Sequence, residues 1–342
     1  MPKIDDVAKL AKVSKGTVSN VFSKKRPISK EVTKRVLEAA KELKYTPNHI
    51  ARSLATKQTM TIALNIPYSK NLTLSNFHTN LISGVITEAS KQNYRILIDT
   101  LSQEQLDLPF MSGNAVDGVI LLDPRVDDNR LEYLTHFNIP TVVIGEPSEK
   151  YLDAVSYVDN NNAEITYEVT THLLEKGHDR ILYLNAPYSM TVSKVREQGF
   201  LQAYCNAGKS TEFAVVHFKE SLKEDPTIYG YEKVMKYFYD RAVNYTAIIA
   251  DTDRVALGAY KALKELNLRV PEDVSIMALS DDLVLAHELD PPLSTVDMQA
   301  TVLGHESVKI LFNQLGVGNY LPAKAKIVEA KFNIRGSINV KK

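Results

Sequence analysis

The ten residues VSKGTVSNVF, 13–22, decide how the N-terminal part of this chain is read. Ser14 is a favoured N-cap, because its hydroxyl can accept from backbone N–H groups left unpaired where a helix starts. Val13, just before the cap, can pack on Val18 as a hydrophobic staple. The stretch therefore predicts a helix over residues 15–22 with Val18, Val21 and Phe22 turned inward. Lys15, Gly16, Ser19 and Asn20 are left facing out, near the N-terminal end of that helix.

Upstream, Ile4, Val7, Ala8 and Ala11 recur at one face of a short helix. Downstream, Ser29 caps a third helix whose buried stripe is expected to be Val32, Val36, Leu37, Ala40 and Leu43. Tyr45-Thr46-Pro47 ends it, since the residue before a proline avoids the helical region. Three short helices with a tight second junction form a helix-turn-helix domain. In that setting residues 15–22 have the pattern of a recognition helix for the major groove. Lys15 can donate to guanine O6 and N7, Asn20 can pair with adenine, and Thr17 and Ser19 suit phosphate contacts. An ordinary bundle helix with a solvated face would carry the same pattern. The next stretch, PNHIARSLATK (47–57), predicts a helical piece with Asn48 as cap and Ile50, Ala51 and Leu54 on one side. It is too short to be stable alone. It reads as a linker that orders on binding, with Leu54 as a wedge between base steps, or else as a frayed linker whose leucine packs on its neighbour.

Charge points the same way. Residues 1–60 hold 14 Lys and Arg against 5 Asp and Glu, whereas the remainder holds 27 against 36. A basic head on an acidic body suggests a polyanionic partner, although charge alone leaves a solvated lysine-rich face open. At 342 residues and 44% hydrophobic, the chain is long enough for two or three domains with a sizeable core. It has one cysteine, Cys205, no apolar run of eighteen residues and no apolar leader in MPKIDDVAKL. The expectation is a cytoplasmic protein without a membrane span.

From residue 60 onward, apolar strand runs alternate with helical segments. The strand candidates are TIALNIP, YRILIDT, DGVILLD, PTVVIGE, AVSYVD, RILYLN, FAVVHF, TAIIAD and VSIMAL. Helices are expected over residues 80–92, 163–175, 195–206, 232–241 and 254–266. Runs rich in Val, Ile and Leu suit strands covered on both faces, and the alternation implies parallel sheets. The length suits two sheets, with a ligand in the crevice at the carboxyl ends of the strands. No P-loop, G-x-S-x-G, H-E-x-x-H or G-x-G-x-x-G motif appears, and the eight histidines lack metal-ligand spacing. Neither an enzyme nor a metal or cofactor is expected. His172 and His178 read as structural.

The head, IDDVAKLAKVSKGTVSNVF followed by RVLEAAKELKYTPNHIARSLATKQT, closely resembles that of the lactose-repressor (LacI/GalR) family of bacterial transcription regulators. The resemblance implies DNA contacts from Ser14, Lys15, Gly16, Thr17, Ser19 and Asn20, with Leu54 as the minor-groove wedge and Ala51 beside it. Two departures stand out. Lys3 replaces the usual capping threonine, and Gly16 has no side chain to read a base. The segments VDNNNAEITYEVTTHLLEKGHDRILYL, VREQGF, DTDRVALGAYKALKELNLRVPEDVSIMALSDD and DPPLSTVDM resemble the family's effector-binding core, which is similar to periplasmic sugar-binding proteins.

Carried onto this chain, the resemblance implies an effector site with Arg196, Asp253 and Asp281, and with Phe77 and His78 against the ligand's face. Thr252 stands where the family has asparagine, and the chain lacks tryptophan altogether. An Arg and an Asp converging on vicinal hydroxyls make sense for a polyol, since they supply fork donors and a bidentate acceptor. A structural Arg196–Asp281 ion pair and a core role for Phe77 stay open.

The expected fold is an N-terminal all-α helix-turn-helix head plus an α/β bilobed periplasmic-binding-protein-like core with two parallel sheets. The head spans residues 1–46 and the hinge 47–59. One lobe covers about 60–160 plus 293–323, and the other about 161–292 plus 324–338. The expected function is a homodimeric regulator released from a pseudo-palindromic operator in double-stranded DNA by a small molecule. That effector would be a mono- or oligosaccharide, for instance of maltose type. The alternative is a catabolite-control-type regulator governed by a protein coregulator. No leucine heptad tail follows KFNIRGSINVKK, so a tetramer is not expected.

Overall fold

A computed structural model describes residues 2–23, 26–45, 58–66, 74–99, 115–221, 224–239 and 243–341. The hinge segment with Ala51 and Leu54 lies outside the described residues. The chain divides into two units, Met1–Thr59 and Met60–Lys342.

In the first unit, helices α1 (Ile4–Ala11), α2 (Lys15–Ser23) and α3 (Lys30–Glu42) surround one small core. Val7, Ala8, Ala11, Val18, Val36, Ala39 and Ala40 are buried there, with Val13, Val21, Phe22 and Tyr45 packed around them. Helix α1 ends where Lys12 adopts the left-handed region (φ 53°). Val13 N–H then returns to the Ala8 carbonyl at 3.0 Å, closing the last turn. Ser14 opens α2 as expected, accepting Thr17 N–H at 3.0 Å. Ser29 does the same for α3, accepting Val32 N–H at 3.3 Å. Lys3 caps nothing with its side chain. Asp6 compensates in part, its carboxylate accepting Lys3 N–H at 2.7 Å. One expectation fails: Leu37 is 49% exposed, because the stripe of α3 that meets α1 runs through Val36, Ala39 and Ala40.

The second unit holds two six-stranded sheets. The first has the order β11-β5-β4-β3-β1-β2 and is parallel throughout. It is built from β1 (Thr61–Asn65), β2 (Arg95–Asp99), β3 (Gly118–Leu122), β4 (Thr141–Ile144), β5 (Ser156–Asp159) and β11 (Ala325–Ile327). The second has the order β12-β10-β9-β8-β6-β7. Its strands are β6 (Ile181–Asn185), β7 (Ala214–Phe218), β8 (Ala247–Ala250), β9 (Ser275–Ala278), β10 (Ser294–Asp297) and β12 (Lys331–Asn333). Among the described strands of this sheet, β12 alone runs antiparallel to its neighbour. The central strands β3, β4, β6, β8 and β9 are buried along their whole length, which is why they read as unbroken apolar runs.

Among the described residues, eight helices join these strands: α4 (Asn76–Ser90), α5 (Asn129–His136), α6 (Asn162–Glu175), α7 (Thr191–Asn206), α8 (Pro226–Tyr239), α9 (Asp253–Glu265), α10 (Leu283–Glu288) and α11 (Ala300–Gln314). Helices α4, α6, α7 and α8 start before the residues expected from the sequence; Ser75, Asn161 and Asp225 cap α4, α6 and α8 upstream of their apolar stripes, whereas α7 follows Met190 without a side-chain cap. Packing of α6 on α7 is close enough that a Cβ at Gly199 would collide with the Ala163 carbonyl.

The lobe boundaries need correcting. Residues 294–297 pair with β9 and β12 in the second sheet, and 325–327 pair with β5 in the first. The expectation had assigned 293–323 to the first lobe and 324–338 to the second. The chain therefore crosses after β10 and back after β11. Backbone pairing decides this: β10 is hydrogen-bonded between β9 and β12, and β11 to β5, because a short strand is claimed by whichever neighbour offers unpaired N–H and C=O groups.

Candidate nucleic-acid interface and effector cleft

On α2 the side chains divide as the apolar spacing requires. Val18 is fully buried, whereas Ser14, Lys15, Gly16 and Ser19 are exposed, with Thr17 and Asn20 half-exposed. The six residues expected to meet DNA thus share the solvent side of one helix. Lys15 Nζ sits 3.2 Å from Asp5 on α1, both well exposed. Such a surface pair is weak and gives way to a phosphate or a guanine edge. Ser14 is committed to its cap, its Oγ also lying 3.0 Å from Thr17 Oγ1. A Cβ at Gly16 would meet only Ser14 Oγ at 3.6 Å, so this glycine is not demanded by packing.

The second unit carries a cavity of about 370 Å³, within the range of small-molecule sites. Its lining is drawn from both sheets, at the residues that follow the strands: Ile66, Asp123, Gly145, Asn160, Ala186, Lys219, Asp251, Leu279 and Met298. In each sheet the order reverses beside the first strand, and the carboxyl ends there leave a crevice. The two lobes also touch along its rim. Val126 N–H donates to the Ser189 carbonyl at 3.0 Å, and Thr191 N–H to that of Pro124 at 3.2 Å. Asn76 Nδ2 reaches the Asp281 carbonyl at 3.3 Å.

All five expected effector residues line this cavity, but in different capacities. Arg196 on α7 donates from Nε to Asn162 Oδ1 (2.8 Å) and from Nη1 to Asp251 Oδ1 (2.6 Å). It does not meet Asp281. That carboxylate accepts from Thr295 Oγ1 (2.7 Å) and Asn333 Nδ2 (2.9 Å) and pairs with Arg335 at 3.3 Å. Asp253 is buried and accepts Asp282 N–H at 2.9 Å, bracing the loop after β9. Burial pushes its pKa up. His78 lies 2.6 Å from Ser75 Oγ through Nδ1 and 3.6 Å from Asp123 through Nε2. Burial would raise the Asp123 pKa, but His78, Arg130 and Arg125 together bring it below its usual value. Phe77 packs against the apolar cores of both lobes.

Sequence reasoning missed Asp251, Asn162, Asp159, Asp123 and Lys219. Burial pushes Asp159 up to about 6, although Glu146 N–H and Asn162 Nδ2 donate to it, each at 3.1 Å. Asp251 is likewise raised by burial, with Arg196 opposing. The signal that could have found them is plain: each acid ends a buried apolar run, as in VILLD, SYVD and AIIAD, and so stands at the carboxyl end of a strand.

Among the described residues no three His, Cys, Asp or Glu side chains cluster as metal ligands would, and no helix is long and apolar enough to cross a membrane.

A helix-turn-helix head followed by a bilobed receptor core is the layout of a ligand-responsive DNA-binding regulator. Comparison with known proteins agrees. Residues 3–48 match the model of bacterial regulatory proteins, lacI family, and residues 170–338 that of the periplasmic binding protein-like domain. The HTH-type transcriptional regulator CelR of Thermobifida fusca is 31% identical over 319 residues, covering 92% of both chains. The ribose operon repressor of Escherichia coli K12 is 30% identical over 321 residues, covering 92% of this chain and 93% of its own. Among solved structures, a CelR–cellobiose complex superposes with TM-score 0.72 at 28% identity, covering 98% of this chain and 100% of that one. The lac repressor dimer bound to operator shares the fold, with TM-score 0.80 at 22% identity, covering 99% of both chains. The chain belongs to the lacI family of bacterial regulatory proteins. It is a DNA-binding transcription regulator, not an enzyme.

Proposed function

We propose that this regulator is a homodimeric, cytoplasmic repressor of carbohydrate-utilisation genes, released from its operator by a sugar. The observation that carries the sugar reading is the cleft itself. An arginine held by Asn162 and Asp251, with Asp159 and Asp123 nearby and Phe77 as an apolar wall, offers the mixed donors, acceptors and flat apolar contact that a polyol requires. The similarity to a protein solved with cellobiose, and to a ribose operon repressor, supports the same class.

In this reading, α2 of each protomer enters a major groove of a pseudo-palindromic site. Lys15 and Asn20 read base edges, and Ser19 and Thr17 contact phosphates. Residues 47–59, with Ala51 and Leu54, meet the minor groove at the centre. A sugar in the cleft binds one arrangement of the lobes more tightly than the other and so shifts operator affinity. A fivefold shift needs a difference of about 1 kcal/mol, and a sharp switch needs several.

The test is fluorescence anisotropy with a pseudo-palindromic duplex carrying a central CG step, at two salt concentrations, with and without cellobiose, maltose, ribose and glucose. Preference over scrambled DNA, reversed by one sugar, is expected. Specific binding untouched by every sugar would sink the sugar reading and turn attention to a protein coregulator.

A further inference from the structure

Resting on the sugar reading of the cleft, we propose that Lys219 sets the chemical class of the effector: its side-chain nitrogen donates to a hydroxyl or acetal oxygen of an uncharged polyol, and the acidic lining around it turns away sugar phosphates and sugar acids. Lys219 directly follows the last residue of β7, and its backbone N–H donates to the Asn185 carbonyl at the end of β6 at 3.2 Å. The residue is only 8% exposed, yet it lines the cavity.

Among the described residues its side chain makes no hydrogen bond and no ion pair. Asp251, Glu224 and Asp225 act on it only through their fields, opposing the downward pull of burial on its pKa. With its donors unspent within the described chain and its residue lining the cavity, the amine is free to donate to an acceptor brought by a ligand.

The acceptor is not an anion. Seven Asp and Glu side chains line the cavity, against Arg196, Lys219 and Arg254. Arg196 is already held by Asp251. Helix starts are the usual phosphate sites; three that border this cavity are filled by their own caps, whereas the start of α7, after Met190, has no side-chain cap. Ser75 accepts from His78 N–H, Asp225 from Thr227 and Ile228 N–H, and Thr252 from Val255 N–H. A phosphate entering here would meet more carboxylates than cations.

Calorimetric titration of the full-length protein decides the matter, using glucose, ribose, maltose and cellobiose beside glucose 6-phosphate and ribose 5-phosphate. Wild type should bind at least one neutral sugar, and neither phosphate more tightly than its parent. Lys219→Met should weaken the neutral sugar by about tenfold or more, while Lys219→Gln, which keeps a donor, recovers part of the loss. Because its amine has no partner among the described residues to leave stranded, Lys219→Met should melt no lower than wild type.

Unchanged sugar affinity in Lys219→Met would overturn the proposal while leaving the sugar reading intact. So would tighter binding of a phosphate than of its parent sugar, or a lower melting temperature in Lys219→Met. Wild type that binds none of the six compounds would overturn the sugar reading and this proposal together.

Discussion

Arg196 Nη1 lies 2.6 Å from Asp251 Oδ1, although 55 residues separate them in the chain. One residue stands on α7 and the other directly follows β8, and both line the cleft. Their side chains are 11% and 16% exposed, so the pair is largely out of water. Removing one partner leaves a poorly solvated charge, for which losses of about 3–5 kcal/mol are typical. Asp251→Asn should therefore lower the melting temperature by several degrees. Arg196→Met should keep operator affinity within about threefold yet abolish release by the sugar, because the effector loses its fork of donors. Melting curves and anisotropy with and without sugar check both. A variant that still responds to sugar would remove Arg196 from the site.

On the head, Asn20→Ala should reduce discrimination between operator and scrambled DNA by about 1–3 kcal/mol, the worth of one bidentate base contact. Lys15→Ala should weaken operator binding as well and flatten its dependence on salt. Gly16→Ala should be tolerated, since space is open there, and should steady α2 by up to about 1 kcal/mol. Competition binding at two salt concentrations and melting of the head give the readouts. Equal affinities for operator and scrambled duplex in wild type would remove the basis of the Asn20 and Lys15 expectations, and a lower melting temperature in Gly16→Ala that of the third.

At the α6–α7 crossing, Gly199→Ala would force a methyl group into the Ala163 carbonyl. Backbone must shift to make room, and such overpacking costs about 1–3 kcal/mol. A fall in melting temperature of several degrees is expected, with effector affinity reduced as well, because Arg196 stands one turn away on the same helix. An unchanged melting curve would show that the crossing relaxes freely.

His178 is 3% exposed, with Nδ1 3.1 Å from Thr246 Oγ1 and Nε2 2.9 Å from the Asn339 carbonyl. Burial holds its pKa below the usual histidine value, with Lys341 and Lys176 adding to that and the Asn339 carbonyl opposing. The folded protein thus binds this proton less readily than the unfolded chain. The stabilising contribution is full above about pH 6.5 and is lost as pH falls through the folded value. Melting temperature should drop between pH 7 and 5, and less steeply in His178→Gln, even though that variant melts lower at pH 7. Parallel slopes would assign the acid sensitivity elsewhere.

The sequence by itself determined the elements and the head. Ser14 and Ser29 cap α2 and α3 where a local rule puts them, and the nine apolar runs of the body became strands β1 to β9. These are near-neighbour effects, a cap reaching three residues or a stripe repeating every three or four, so they survive in one dimension. The family motifs placed Arg196, Asp281, Phe77 and His78 along the cleft for the same reason. Partnership was decided only by the tertiary structure. Arg196 and Asp281 both line the cavity, but Arg335, Thr295 and Asn333 arrive from the chain's far end and take the aspartate, leaving the arginine to Asp251. Strands β10 and β11 likewise went to whichever sheet had backbone groups to pair. Charges and hydrogen-bonding groups choose partners by distance in space, and folding brings together residues whose separation along the chain carries no trace of that distance.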